Sequence, residues 1–237
     1  MSQTNLETLA LLGGPKAIPN DFPAYNSLGE EERIAVNAVM EKGVLSQFLG
    51  CWHEDFYGGE KVQEFERACE QHFDVKHAIT VNSWTSGLIA AIGALDIEPG
   101  DEIIVSPWTM SASATAILHW NAIPVFADIE PKTFNLDPKS VEANITPYTK
   151  AIIVVHLYGH PVDVDPIAEI TSPDHIAIIE DGAQSLGSSI NGKKCGTLGN
   201  LGCTSLYPTK VITSGEGGVI TTNDETLYEE LLRIRNH

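Results

Sequence analysis

The chain has 237 residues, 43% of them hydrophobic, enough to bury a sizeable core and too many for a disordered polymer. Its 14 basic and 32 acidic residues give a formal net charge of −18 and a sequence pI near 4.6, which argues against nucleic acid and anionic membrane surfaces as partners. A small phosphorylated ligand stays compatible with this balance, because it needs only local donors.

Residues 1–27 are polar and broken by Gly13-Gly14-Pro15, Pro19 and Pro23, so they read as an N-terminal arm leading into one domain over 28–237. Glu30 to Lys42 carries Ile34, Val36, Val39 and Met40 in a helical pattern and stops at Gly43. Residues 44–59 form a loop rich in aromatics (Phe48, Trp52, Phe56, Tyr57), which either contact substrate or pack; packing is the plainer reading. A second helix runs through Val62, Phe65, Cys69 and Phe73. From residue 77 strands and helices alternate. Strands are expected at His77–Val81, Glu102–Val105, Ile123–Ala127, Ala151–His156 and Ile176–Glu180. Helices are expected at Ser86–Leu95, Ala112–Trp120, Pro138–Asn144 and Asp165–Ile170. The strands are short, continuous and β-branched, as in a mostly parallel central sheet flanked by helices on both faces, an α/β fold. After residue 186 the order changes. Gly202–Leu206 and Val219–Thr222 read as strands without a full helix between them, which suggests a local antiparallel element, and Glu225–Ile234 reads as a last helix.

Cys51, Cys69, Cys195 and Cys203 are widely spaced with no zinc-ligand pattern, and read as free thiols of a reducing compartment. The N-terminal residues lack a basic flank with an apolar core, and no apolar run reaches bilayer length, so a cytoplasmic location is expected.

The chemistry centres on Lys210, in Thr204-Ser205-Leu206-Tyr207-Pro208-Thr209-Lys210, ahead of Gly215-Glu216-Gly217-Gly218. Upstream stands Ile178-Ile179-Glu180-Asp181-Gly182-Ala183-Gln184-Ser185. A lysine amine can hold an aldehyde cofactor as a Schiff base, and a carboxylate can keep that cofactor's pyridine nitrogen protonated, which makes the ring an electron sink. The pattern therefore reads as a site for pyridoxal 5'-phosphate. The plain alternatives are a surface loop lysine and a capping or salt-bridged aspartate. Between a strand end and a helix start, Val81-Asn82-Ser83-Trp84-Thr85-Ser86-Gly87 is either an anion site of free N–H groups and hydroxyls or an ordinary N-cap by Ser83 or Thr85. His156, at another strand end, reads as structural, with a cofactor contact as the alternative.

Together these segments resemble the DegT/DnrJ/EryC1/StrS family of sugar aminotransferases, of fold type I, from about residue 28 to the end. The resemblance rests on Pro99-Gly100-Asp101-Glu102-Ile103-Ile104, Pro124-Val125-Phe126-Ala127-Asp128-Ile129, Ile179 to Ser185, and Ser205 to Lys210 with its glycine cluster. It implies an aspartate-aminotransferase-like large domain and transfer of an amino group from glutamate or glutamine to a keto sugar carried on a nucleotide. It makes Lys210 the catalytic Schiff-base lysine and proton shuttle, Asp181 the partner of the ring nitrogen, and Gln184 a contact on the phenolic-oxygen side. Ser205, Trp84 and Thr85 become phosphate ligands. The family's aromatic ring cover falls in Pro107-Trp108-Thr109-Met110, one residue shorter here, so that Met110 or Trp108 takes its place. Trp84 also stands where the family's phosphate loop has a small residue. The family continues well past the position matching His237, into a small domain carrying an asparagine that reaches the partner subunit's cofactor. The resemblance thus implies a cofactor half whose C-terminal small domain is missing or supplied as a separate chain, and a homodimer. The rival readings are a non-catalytic subunit on the same fold and a pyridoxal-phosphate sugar dehydratase, against which Lys210 speaks, because those relatives usually carry histidine there.

Overall fold

The computed structural model describes residues 8–23 and 26–236, which divide into two compact units, residues 1–45 and residues 46–237. Of the expected N-terminal arm, residues 1–7, 24 and 25 lie outside the described residues. In the first unit the main element is α1 (Glu30–Lys42). Its start is set by Glu32, whose carboxylate accepts the Gly29 N–H at 2.6 Å, and by an acidic first turn facing the positive end of the helix dipole. Gly43 ends it at φ 72°, a left-handed conformation that glycine adopts without strain.

The second unit carries the remaining elements in the order α2 (Glu60–Phe73), β1 (His77–Val81), α3 (Trp84–Gly93), β2 (Glu102–Val105), α4 (Ser111–His119), β3 (Ile123–Phe126), α5 (Pro138–Asn144), β4 (Thr149–Val155), α6 (Asp165–Thr171), β5 (Ala177–Asp181), β6 (Ser189–Ile190), β7 (Lys193–Lys194), β8 (Gly202–Ser205), β9 (Gly218–Thr222) and α7 (Glu225–Asn236). Strands β3-β2-β4-β5 pair in parallel, and β8-β9-β1 pair antiparallel. A parallel bridge between Ile179 and Leu201 joins the two groups, with the Glu180 N–H donating to the Leu201 carbonyl at 2.8 Å. The order is therefore β3-β2-β4-β5-β8-β9-β1, in which only β9 runs against the rest. The antiparallel element expected after residue 186 is this β8–β9 pair.

Both faces of the sheet are covered, which is why its strands read as unbroken apolar runs. Ile79, Ile103, Ile153, Ile179 and Ile220 point to one face, under α3, α4 and α7. Their chain neighbours Ile104, Ile152 and Ile178 point to the other face, under α5 and α6. Among the described residues no helix is long and apolar enough to cross a membrane.

The sequence reading missed the β6–β7 hairpin. Its turn is Asn191-Gly192, both at positive φ (51° and 78°), the two-residue turn that this dipeptide favours. The loop aromatics of 44–59 pack on one another: Trp52 lies 4.4 Å from Phe56, which is buried and meets Tyr57 edge-on at 5.4 Å.

One buried polar cluster holds the middle of the sheet. Glu180, fully buried, accepts amide N–H groups from Gly196, Leu198 and Gly199, at 2.7, 2.5 and 2.7 Å, and lies 2.8 Å from His156 Nε2. Burial opposes a charge on His156, while Cys195 and Glu180 favour one. The Val162 N–H, however, donates to Nδ1 at 2.9 Å, and an amide donor can approach only a bare ring nitrogen. We therefore assign the neutral tautomer, with Nε2–H donated to Glu180. His156 is thereby placed inside the fold. Glu180→Ala would leave three amides without their acceptor, and is expected to cost about 3–5 kcal/mol. The check is the urea unfolding midpoint, with a smaller loss for Glu180→Gln, which keeps one acceptor oxygen.

Candidate active site

Because β1, β2, β5 and β8 run the same way, their C-terminal ends open on one edge of the sheet, where open α/β sheets bind ligands. A cavity of about 490 Å³ lies on this edge. It is lined by Ser83, Trp84 and Thr85 after β1, Thr109, Met110 and Ala112 after β2, and Val155 at the end of β4. Asp181, Ala183 and Gln184 line it from β5, and Ser205, Tyr207, Thr209, Lys210 and Glu216 from β8 and the loop beyond. Lys210 and Asp181, far apart in sequence, thus face one space.

Asp181 is the last residue of β5 and only 4% exposed. Its Oδ1 accepts the Trp84 indole N–H at 2.8 Å and the Ala183 N–H at 3.2 Å, and its Oδ2 accepts the Ser113 hydroxyl at 2.8 Å. All three donors are neutral, so the carboxylate is solvated by the fold without its charge being cancelled. Gly182 follows because nothing larger fits: a Cβ there would lie 2.3 Å from the Cys203 carbonyl oxygen.

The start of α3 brings backbone donors. Ser83 is the N-cap, its hydroxyl accepting the Ser86 N–H at 3.1 Å. The first intrahelical bond runs from Gly87 N–H to Ser83 carbonyl, so the Trp84 and Thr85 N–H groups precede it and belong to the helix's open end. Of the alternatives posed by the sequence, the cap by Ser83 is present.

Lys210 is half-buried in the loop between β8 and β9, and its N–H donates to the Tyr207 carbonyl at 2.9 Å. That loop is tied back by Leu206 N–H to Gly217 carbonyl and Ser214 N–H to Leu206 carbonyl, at 3.0 and 3.1 Å. The glycine cluster serves two needs. Gly215 turns at φ 88°, and Gly218 lets β9 approach α3, since a Cβ there would sit 3.2 Å from the Ser83 oxygen and from Trp84 Cα.

Gln184 is oriented by the chain itself. The Tyr158 N–H donates to its side-chain oxygen at 2.8 Å, which leaves its NH₂ group as the free donor. Ser205 is buried and Thr85 exposed, and both line the cavity. Of the two residues weighed as a ring cover, Met110 lines the cavity and is 70% exposed. Trp108 is 51% exposed, is not among the lining residues, and leans on Phe134 with ring centroids 5.7 Å apart.

Sequence reasoning missed Ser113, the donor to Asp181 Oδ2. A signal was present: Ser113, Ala116 and Ile117 lie at i, i+3 and i+4 on the buried face of α4, and a serine on such a face needs an acceptor inside. It also missed what the Trp84 ring does, because a side-chain direction is not written in spacing.

Among proteins of known identity, the chain is 46% identical over 177 residues to the GDP-perosamine synthase of Caulobacter vibrioides, an alignment covering 75% of this chain and 48% of that protein. Among solved structures it superposes on the aminotransferase of Psychrobacter cryohalolentis with a TM-score of 0.81 and 35% identity, over 89% of this chain and 51% of that one. It matches a GDP-4-keto-6-deoxymannose-3-dehydratase, solved with a trapped PLP-glutamate geminal diamine, with a TM-score of 0.80 and 30% identity, over 90% and 54% of the two chains. The chain thus spans about half the length of the relatives it matches. Over residues 29–237 its sequence fits the pattern of one family, and the chain belongs to it: the DegT/DnrJ/EryC1/StrS aminotransferase family.

Proposed function

We propose that this chain holds pyridoxal 5'-phosphate and serves, as the cofactor-binding domain over residues 28–237, in transfer of an amino group from glutamate or glutamine to a keto sugar carried on a nucleotide. The observation that carries the reading is one cavity containing a buried carboxylate and an amine, Asp181 and Lys210, beside the open end of a helix. This donor set fits the cofactor: an acid for the ring nitrogen, an amine for the aldehyde, and amides for the phosphate. When bound, pyridoxal phosphate supplies an electron sink and a carbon that accepts the donor's amino group.

The chain's own residues do the rest. Asp181 holds the proton on the ring nitrogen. The Trp84 and Thr85 amides, with the Thr85 and Ser205 hydroxyls, bind the phosphate, and the Gln184 NH₂ donates to the phenolic oxygen. Met110 covers the ring from the solvent side. Lys210 would anchor the cofactor and then, as the only amine among the lining residues, its Nζ would carry the proton taken from Cα of the amino donor to the cofactor's carbon. The keto-sugar reading leans on the family and on the perosamine synthase relative. A homodimer belongs to the same reading with the resemblance as its support, and a cytoplasmic location with the free thiols as its support.

The test is chemical. The full chain incubated with pyridoxal phosphate and borohydride is expected to gain one cofactor mass, mapped by mass spectrometry to Lys210 and absent from Lys210→Ala. No adduct on Lys210 sinks the cofactor reading. On adding L-glutamate to the loaded chain, the visible absorption band is expected to give way to near-ultraviolet absorption. A loaded chain that never converts would favour a non-catalytic subunit. Asp181→Ala is expected to slow that conversion on the order of 10²-fold in stopped-flow traces, in the range found when one preorganised electrostatic group is removed.

A further inference from the structure

We propose that Trp84 acts as the positioning residue of the Asp181 carboxylate, that Gly87 provides the space for its indole, and that Oδ2 is the oxygen left to meet a ligand. The last clause rests on the pyridoxal-phosphate reading; the first two concern the chain alone.

An indole has one N–H and no acceptor, so a buried tryptophan is anchored wherever that single hydrogen finds an oxygen. Trp84 is 7% exposed, and its hydrogen finds Asp181 Oδ1 at 2.8 Å. The ring reaches that oxygen only by lying across its own helix, one turn on, where residue 87 is glycine. A Cβ at Gly87 would stand 2.6 Å from ring atoms Cε3 and Cζ3, a separation that real atoms do not tolerate. At the backbone of the same residue, Gly218 brings β9 so close that a Cβ there would be 3.2 Å from Trp84 Cα. The missing side chain at Gly87 thus leaves the room that this placement of the indole needs.

Counting lone pairs then assigns the two oxygens. Oδ1 accepts from the indole and from the Ala183 N–H, which occupies both of its in-plane positions. Among the described residues Oδ2 accepts the Ser113 hydroxyl alone and keeps one position. A protonated ring nitrogen, which needs an in-plane lone pair of a charged carboxylate, is therefore directed to Oδ2. Trp84 fixes the carboxylate's rotation and, being neutral, leaves its charge intact for that contact. If Trp84 merely filled space, phenylalanine would serve as well.

The experiment has two arms on the full chain. In the unloaded protein with ¹⁵N-labelled tryptophan, the Trp84 indole resonance is assigned by its loss in Trp84→Phe. It is expected to shift in Asp181→Ala and in Gly87→Ala; an unmoved resonance in Asp181→Ala overturns the positioning claim with no cofactor involved. In the second arm pyridoxal phosphate is titrated into wild type, Trp84→Phe and Gly87→Ala. The pH midpoint of the bound visible band is followed, with the melting temperature of each unloaded chain as the control for folding. Both variants are expected to bind about tenfold more weakly, the scale of one hydrogen bond to a charged group. Their midpoints are expected to move upward, because a ring nitrogen that holds its proton less firmly withdraws less charge from the nitrogen titrating at Lys210. Unchanged affinity and midpoint in Trp84→Phe overturn the proposal, whatever the melting temperature. Wild type that takes up no cofactor would sink the functional reading instead, and leave the Trp84–Asp181 contact to be decided by the resonance arm.

Discussion

Two consecutive acids at the end of β5 organise this domain. Glu180 and Asp181 are both buried, and burying a carboxylate costs several kcal/mol unless the fold supplies the hydrogen bonds that water would have given. A strand turns successive side chains to opposite faces, so the two must be satisfied separately. Glu180 is met by His156 and the amides of residues 196, 198 and 199, which ties the connection between β7 and β8 to the sheet. Asp181 is met by the starts of α3 and α4 and opens on the cavity. One acid ties the fold together, and the other lines the cavity.

That division explains the surrounding geometry. The loop fixed by Glu180 leads into Leu201, whose bridge to Ile179 joins the parallel and antiparallel groups of strands. Without that joint β8 would not lie beside β5, and Ser205 and the Lys210 loop would not share a cavity with Asp181. The glycines at 182 and 199 mark the same joint: a Cβ at either would press on backbone oxygen, of Cys203 at 2.3 Å or Ile178 at 2.6 Å. The spacing between Asp181 and Ser205 is thus set by strand pairing, and the loop that carries Lys210 starts from the end of β8.

The element pattern was legible because both sheet faces are covered. Runs such as residues 151–155 and 176–179 are apolar without a break, and Glu30–Lys42, His77–Val81, Glu102–Val105 and Pro138–Asn144 begin and end where the sequence places them. The start of α3 was read at Ser86, two residues late, because Trp84 and Thr85 carry no helical signal of their own and are recruited by the Ser83 cap. In the site, Lys210 and Asp181 stood out as chemistry at the ends of apolar runs. Ser113 and the indole of Trp84 did not, because their roles depend on which way a side chain turns. That direction is decided by absences, such as the missing side chain at Gly87, which become visible only when distant segments are brought together.

The charge of the chain bears on how such a site can work. At −18 overall, the chain as a whole repels a phosphorylated ligand, and the cavity lining adds Asp181 and Glu216 against Lys210 as its only cation. On the reading proposed above, the phosphate cannot be held by a cluster of cationic side chains there. The donors on hand are the first-turn amides of α3 and the hydroxyls beside them, which act at contact range and carry no net charge to be screened. The same logic holds at Asp181, which is steadied by an indole, a hydroxyl and an amide. A cation in place of any of these would stabilise the carboxylate more strongly, but would also cancel the negative charge that a protonated ring nitrogen requires. Neutral donors resolve that conflict, and they explain why an acidic chain can keep a buried acid free to act.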